Sequence, residues 1–241
     1  MPAILKLPLA AAFAATVMLV CSVSTANAEP TKGKEIYQKC VNCHGIEGHG
    51  VKRFWAPGIA GLSAEYVARQ VHNFYDGTRG SHREDIPGHR MRPMARMLKK
   101  DAKKSDAMIK AVSEYVAKMK PVVPEQTVAN GDSERGQLIY AKVCKACHGA
   151  NAGGMPTLGP DLRYTGDWYL LAQLKNFQAK RRAGNPAPEC NGFTPPAHCD
   201  PKGLEMVRKV WPKDGPAVLP DEQSMKDVIA YITRLAESSN K

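Results

Sequence analysis

The chain is 241 residues long, 43% hydrophobic and 24% charged, with a formal net charge of +11. Beyond residue 28 no stretch approaches the run of about 18 apolar residues that a membrane span requires, which excludes a membrane-embedded bundle. The remaining length fits two domains of about 100 residues, each small enough to need something besides its own side chains to complete a core.

Residues 1–28 read as a signal peptide. Lys6 supplies the positive end, Leu7 to Val23 are almost wholly apolar, and Ala26-Asn27-Ala28 is a small-residue cleavage signal. Export to the periplasm is expected, with a soluble mature chain beginning at Glu29. Cys21 does not read as a lipid anchor, because Val20 stands where a small residue is needed. Peripheral association with the membrane stays open on this reading.

A short helix from Thr31 to Lys39 leads into Cys40-Val41-Asn42-Cys43-His44, and a second from Ser133 to Val143 leads into Cys144-Lys145-Ala146-Cys147-His148. C-x-x-C-H is the attachment signature of a c-type haem, in which both thiols add to the vinyl groups of one porphyrin and the histidine ligates its iron. A bare C-x-x-C could instead be a redox dithiol or half of a zinc site. Here each pair carries its own histidine, followed by Gly45 and Gly149, so the expectation is two haem c groups, held by Cys40, Cys43, Cys144 and Cys147, with His44 and His148 as iron ligands.

The repeat extends beyond these motifs. Gly33-x-x-Ile36-Tyr37 matches Gly136-x-x-Ile139-Tyr140, with one extra residue before the second cysteine pair, and Pro57 and Pro160 follow the two histidines by 13 and 12 residues. Next come Tyr66-x-x-x-Gln70-x-x-Asn73-Phe74 and Tyr169-x-x-x-Gln173-x-x-Asn176-Phe177, apolar at helical spacing, then Gly88-x-x-Met91 and Gly203-x-x-Met206. Amphipathic helices from about Ser105 to Lys118 and Asp221 to Leu235 close the two halves. Residues 29–120 form an N-terminal domain, 121–132 a proline- and glycine-marked linker, and 133–241 a C-terminal domain. No sustained alternation is present, so the class is all-α: two small helical bundles, each around one haem.

The second half is longer between Phe177 and Met206 than the first is between Phe74 and Met91, and the addition contains Cys190 and Cys199. In an oxidising compartment these two are expected to form a disulfide closing a proline-rich loop. Each iron also needs a sixth ligand. Met91, Met94 and Met97 are candidates in the first half, while Met108 and Met119 read as core; Met91 is preferred because Gly88 precedes it and Pro93 stiffens the loop beyond, with Met94 its rival. Among Met155, Met206 and Met225, Met206 is preferred. His89 and His198 lie near enough to the ligand loops to be rivals, whereas His49, His72 and His82 read as solvated.

These residues resemble the dihaem class I cytochromes c of the c4 type, periplasmic electron carriers of two domains. The two C-x-x-C-H-G runs, Pro57-Gly58-Ile59-Ala60-Gly61, Tyr66 to Phe74 with Gly77-x-Arg79-Gly80, and Gly88-x-x-Met91-x-Pro93-Met94-Ala95 carry the resemblance. It implies His44 with Met91 and His148 with Met206 as axial pairs. It also implies that the carbonyls of Pro57 and Pro160 accept the N–H of each ligand histidine, and that the haems lie near the domain interface. The longer Gly184 to Lys202 stretch and the Lys99 to Lys104 region depart from the family pattern.

Three functions compete on this reading. The first is a soluble respiratory electron carrier with no chemistry of its own, and the second is the cytochrome subunit of a periplasmic dehydrogenase. The third, a dihaem peroxidase or thiosulfate-oxidising enzyme, ranks last because a methionine is available to each iron. The expected partners are redox proteins, not nucleic acid. Residues 29–120 hold 18 Lys and Arg against 10 Asp and Glu, and residues 121–241 hold 15 against 13. Arg90, Arg92, Arg96, Lys99, Lys100, Lys103 and Lys104 therefore suggest an N-terminal face for an acidic partner.

Overall fold

The computed structural model describes residues 29–98, 102–183 and 200–239. The expected signal peptide at 1–28 and the expected disulfide of Cys190 with Cys199 lie outside these residues. Helices α1 (Glu29–Tyr37), α2 (Val41–His44), α3 (Ala64–Asp76), α4 (Ile86–Leu98) and α5 (Ala102–Ala117) build the first half. The second half contains α6 (Ser133–Ile139), α7 (Lys145–His148), α8 (Asp167–Gln178), α9 (Pro201–Val210) and α10 (Glu222–Ser238). Among the described residues the only strand-like features are two isolated bridges, Val51 with Ala56 and Met155 with Gly159, and the protein is all-α.

The first and last helices of each half cross, α1 over α5 and α6 over α10. The repeated glycine of the sequence permits both crossings. A Cβ on Gly33 would strike the Ala111 carbonyl and one on Gly136 the Asp227 carbonyl, so only glycine lets these backbones approach so closely. Beside each crossing lies a tilted aromatic pair, Tyr37 with Tyr115 at 5.5 Å between ring centroids and Tyr140 with Tyr231 at 5.4 Å. The extra residue of the second copy is absorbed just beyond: Tyr140–Cys144 form a π-helical turn, whose wider ring takes one residue more than an α turn.

Two separate cores result. Ile36, Val71, Phe74, Ile109 and Val116 centre the first, and Val210, Leu219, Val228, Ile229 and Ile232 the second. The terminal helices run somewhat longer than their sequence patterns suggested, and α10 begins with a capping box in which Asp221 and Ser224 satisfy each other's N–H groups.

One expectation is corrected. The methionine segments are helices, not loops: Met91 lies within α4 and Met206 within α9. Pro93 sits inside α4 on its exposed side, where water reaches the turn that lacks the proline N–H. The 121–132 stretch has no helix until its end but is tied to the second half. The Thr127 and Val128 N–H groups donate to Asp167 at 2.5 and 2.6 Å, and the Asp132 N–H donates to buried Asp227 at 2.8 Å.

Candidate functional site

Each cysteine–histidine motif forms a short helical turn, α2 or α7, with Cys40 or Cys144 at its N-cap and its exit fixed by the tyrosine buried beneath it. Tyr37 donates its hydroxyl to the Gly45 carbonyl at 2.7 Å and Tyr140 to the Gly149 carbonyl at 2.8 Å. Gly45 and Gly149, at φ +80° and +78°, turn the chain away immediately after the histidine. Neither cysteine pair is closed into a disulfide, and burial pushes the Cys40 thiol up to about 11 and the Cys144 thiol up to about 12. Among the described residues no three His, Cys, Asp or Glu side chains converge as ligands for a metal ion.

The two histidines are held alike. His44 Nδ1–H donates to the Pro57 carbonyl and His148 Nδ1–H to the Pro160 carbonyl, both at 2.9 Å. A carbonyl can only accept, so these bonds select the tautomer that leaves the lone pair on Nε2. Burial holds both rings below the ordinary imidazole range, against the opposing pull of the proline carbonyls, and so favours the neutral form that can ligate iron.

One continuous cleft passes through both halves. Cys40, Cys43, His44, Pro57 and Met91 line it in the first, and Cys144, Cys147, His148, Pro160 and Met206 in the second. Met91 is the sixth residue of α4 and Met206 the sixth of α9, so the two occupy the same helical register. Met94 and Met97 also border the cleft, but the residue in Met94's register in α9 is Lys209, and Met97 is 46% exposed. Met108 and Met119 pack against the first core, Met225 is buried in the second, and Met155 is exposed. His89 is exposed, and His198 lies outside the described residues.

The sequence motifs include Tyr66, Gln70, Arg79, Tyr169 and Gln173 but do not show that they join the halves, and Arg182 stands in none of them. Arg79 donates to Gln70 of its own domain at 2.7 Å, and across the interface to Gln173 at 3.1 Å and to the Tyr169 hydroxyl. Arg182 mirrors it, donating to Gln173 at 2.8 Å and across to Gln70 at 3.3 Å and Tyr66 at 3.4 Å. Each guanidinium also stacks over a phenylalanine of its own half, Phe74 of α3 at 4.4 Å and Phe177 of α8 at 4.5 Å. The available signal was the coincidence of Tyr, Gln and Arg at equal offsets in both copies, the first two on α3 and α8 and the arginine just beyond each helix.

This interface tests whether the cleft suits haem. Both guanidinia border the cleft, both are buried, and the Nε of each has no hydrogen-bond partner. A buried cation with a donor to spare calls for an anion, and each haem carries two carboxylates. The apolar walls, the paired thiols, the Nε2 lone pairs and these two donors together match that cofactor. Elsewhere the interface is closed by Trp55 against Trp168, edge to face at 6.1 Å, and by the Arg181–Glu84 ion pair.

A family model described as Cytochrome c matches residues 30–120 and 133–236. The thiosulfate dehydrogenase electron acceptor of Stutzerimonas stutzeri (strain A1501) is 37% identical over 180 residues, covering 66% of this chain and 76% of that protein. Its counterpart in Thiomonas intermedia (strain K12) is 30% identical over 160 residues, and the match spans 61% of this chain and 66% of that protein. Among solved structures, cytochrome c4 of Acidithiobacillus ferrooxidans superposes with a TM-score of 0.58 at 20% identity, over 81% of this chain and 98% of that one, a likeness of fold.

Proposed function

This chain belongs to the cytochrome c family, with one family domain in each half, and from that premise we propose that it is a periplasmic dihaem electron carrier serving a thiosulfate-oxidising dehydrogenase. The observation that carries the reading is the duplicated arrangement in one cleft: a neutral histidine locked by a proline carbonyl, and a methionine at a fixed helical register. Its two c-type haems supply a one-electron ferric/ferrous couple at each site. Cys40 and Cys43, with Cys144 and Cys147, anchor the porphyrins. His44 and Met91 would ligate the first iron, and His148 and Met206 the second. A thioether favours the ferrous state relative to a second imidazole, and filling the sixth position withholds the iron from substrate, as suits a carrier.

The names of the relatives support the donor: two of them accept electrons from a thiosulfate dehydrogenase. The basic character of the first domain supports an acidic docking face on that donor. Arg90 and Arg96 of α4 are exposed; Lys99 and Lys100 lie outside the described residues, as does the side chain of Lys103. Lys104 is exposed and engaged in an interaction of its own. Arg92 must be removed from the expected cluster, because its guanidinium folds against the Gly77 turn and its Nε is buried.

Stopped-flow mixing of the ferric holoprotein with thiosulfate tests the reading directly. Reduction should require the dehydrogenase and slow as salt rises, with a screening length of about 10 Å at 0.1 M, and Arg90→Glu with Arg96→Glu should slow it further. Thiosulfate oxidation by the chain alone would overturn the carrier assignment. A rate indifferent to salt and to both substitutions would remove the acidic docking face.

A further inference from the structure

The two methionine helices are capped in the same way. Asp85 precedes α4, where its Oδ1 accepts the Gly88 N–H at 3.2 Å and its backbone carbonyl accepts the His89 N–H at 2.7 Å. Asp200 precedes α9 and accepts from Gly203 at 3.1 Å and Leu204 at 2.9 Å. The glycine is required in both, since a Cβ on Gly88 would strike the Asp85 carboxylate and one on Gly203 would come within 2.7 Å of Asp200 Oδ2. These are N-caps, which fix where a helix starts and how its first turn is aimed.

The caps differ in one bond. Asp85 Oδ1 also accepts the Asn176 Nδ2–H at 2.8 Å, and Asn176 belongs to α8 of the other domain. The residue in the corresponding place on α3, Asn73, is buried with its Nδ2 unpartnered. Asp85 is 0% exposed and Asn176 4%, so their bond forms where water does not compete for the carboxylate. Asp85 Oδ2 has no partner of its own, which leaves Gly88 and Asn176 as the side chain's holds.

We propose that Asn176 is a positioning residue for the methionine of the first iron, acting through Asp85 from the second domain. The inference rests on Met91 being that ligand. Met91 lies three residues beyond Gly88, less than one helical turn, so a shift of the capped end is delivered to its sulfur with little room to dissipate. Docking of the second domain thereby tightens ligation in the first. Among the described residues no equivalent bond runs in the opposite direction, so Met206 should depend on its own domain.

The test is the alkaline displacement of methionine in the ferric holoprotein, followed by the long-wavelength sulfur-to-iron charge-transfer band. The methionine methyl resonances of the ferrous protein assign each change to one haem. Asn176→Ala should raise the displaced fraction at the first haem about tenfold, moving its midpoint down by about one pH unit, as loss of one hydrogen bond to a buried carboxylate predicts. The second haem should stay in place, Asn73→Ala should move neither, and Asn176→Ala should add nothing in an Asp85→Ala background. Asn176→Ser, which keeps a shorter donor, should fall between and serves if the alanine variant does not fold. A wild-type protein without the band overturns the methionine reading and this proposal with it. A normal band that Asn176→Ala leaves unmoved, or moves equally at both haems, overturns this proposal alone.

Discussion

Arg79 and Arg182 occupy exchanged places across the domain interface: each donates to the glutamine of its own domain and to the glutamine of the other, at distances between 2.7 and 3.3 Å. Two like charges are thus buried side by side with neutral hydrogen-bond acceptors. Buried Asp85 offsets part of that charge at Arg79, and the haem carboxylates are further anions that the unpartnered Nε donors could receive.

The interface should therefore respond to either arginine. Arg79→Gln strips donors from Tyr169, Gln173 and Gln70 together, and we expect a loss of about 1.5–3 kcal/mol in urea unfolding of the holoprotein. Both reduction potentials should fall, because a nearby buried cation disfavours the ferric state, whereas Arg83→Gln on the exposed surface should leave them unchanged. Potentials that stay fixed in Arg79→Gln would separate this cluster from the haems.

Ligand identity is read from the charge-transfer band of the ferric protein. Met91→Ala and Met206→Ala should each remove about half of it, as one of two equivalent chromophores is lost. Met94→Ala should preserve it, since Met94 has no methionine in its register on α9. Loss in Met94→Ala with retention in Met91→Ala would transfer the first ligand to Met94.

The haem attachment motifs, the duplication and the all-α class were legible in the residues, because each depends on local spacing. Two cysteines and a histidine must stand within one turn, and a crossing glycine such as Gly33 or Gly136 recurs wherever the same helices meet. The proline acceptors came from family resemblance, and the structure gives them a geometry of 2.9 Å in both copies. What the chain order concealed was everything that joins its halves. Asp85 and Asn176 are 91 residues apart, and Arg79 and Gln173 are 94 apart. No periodicity links such positions; only the docking of two separately cored bundles brings them together. The methionine segments read as loops because Pro93 and the glycines are helix-breaking in isolation. Tertiary packing overrode that preference, with Asp85 and Asp200 capping the helix starts against the glycines and the cleft receiving their apolar faces.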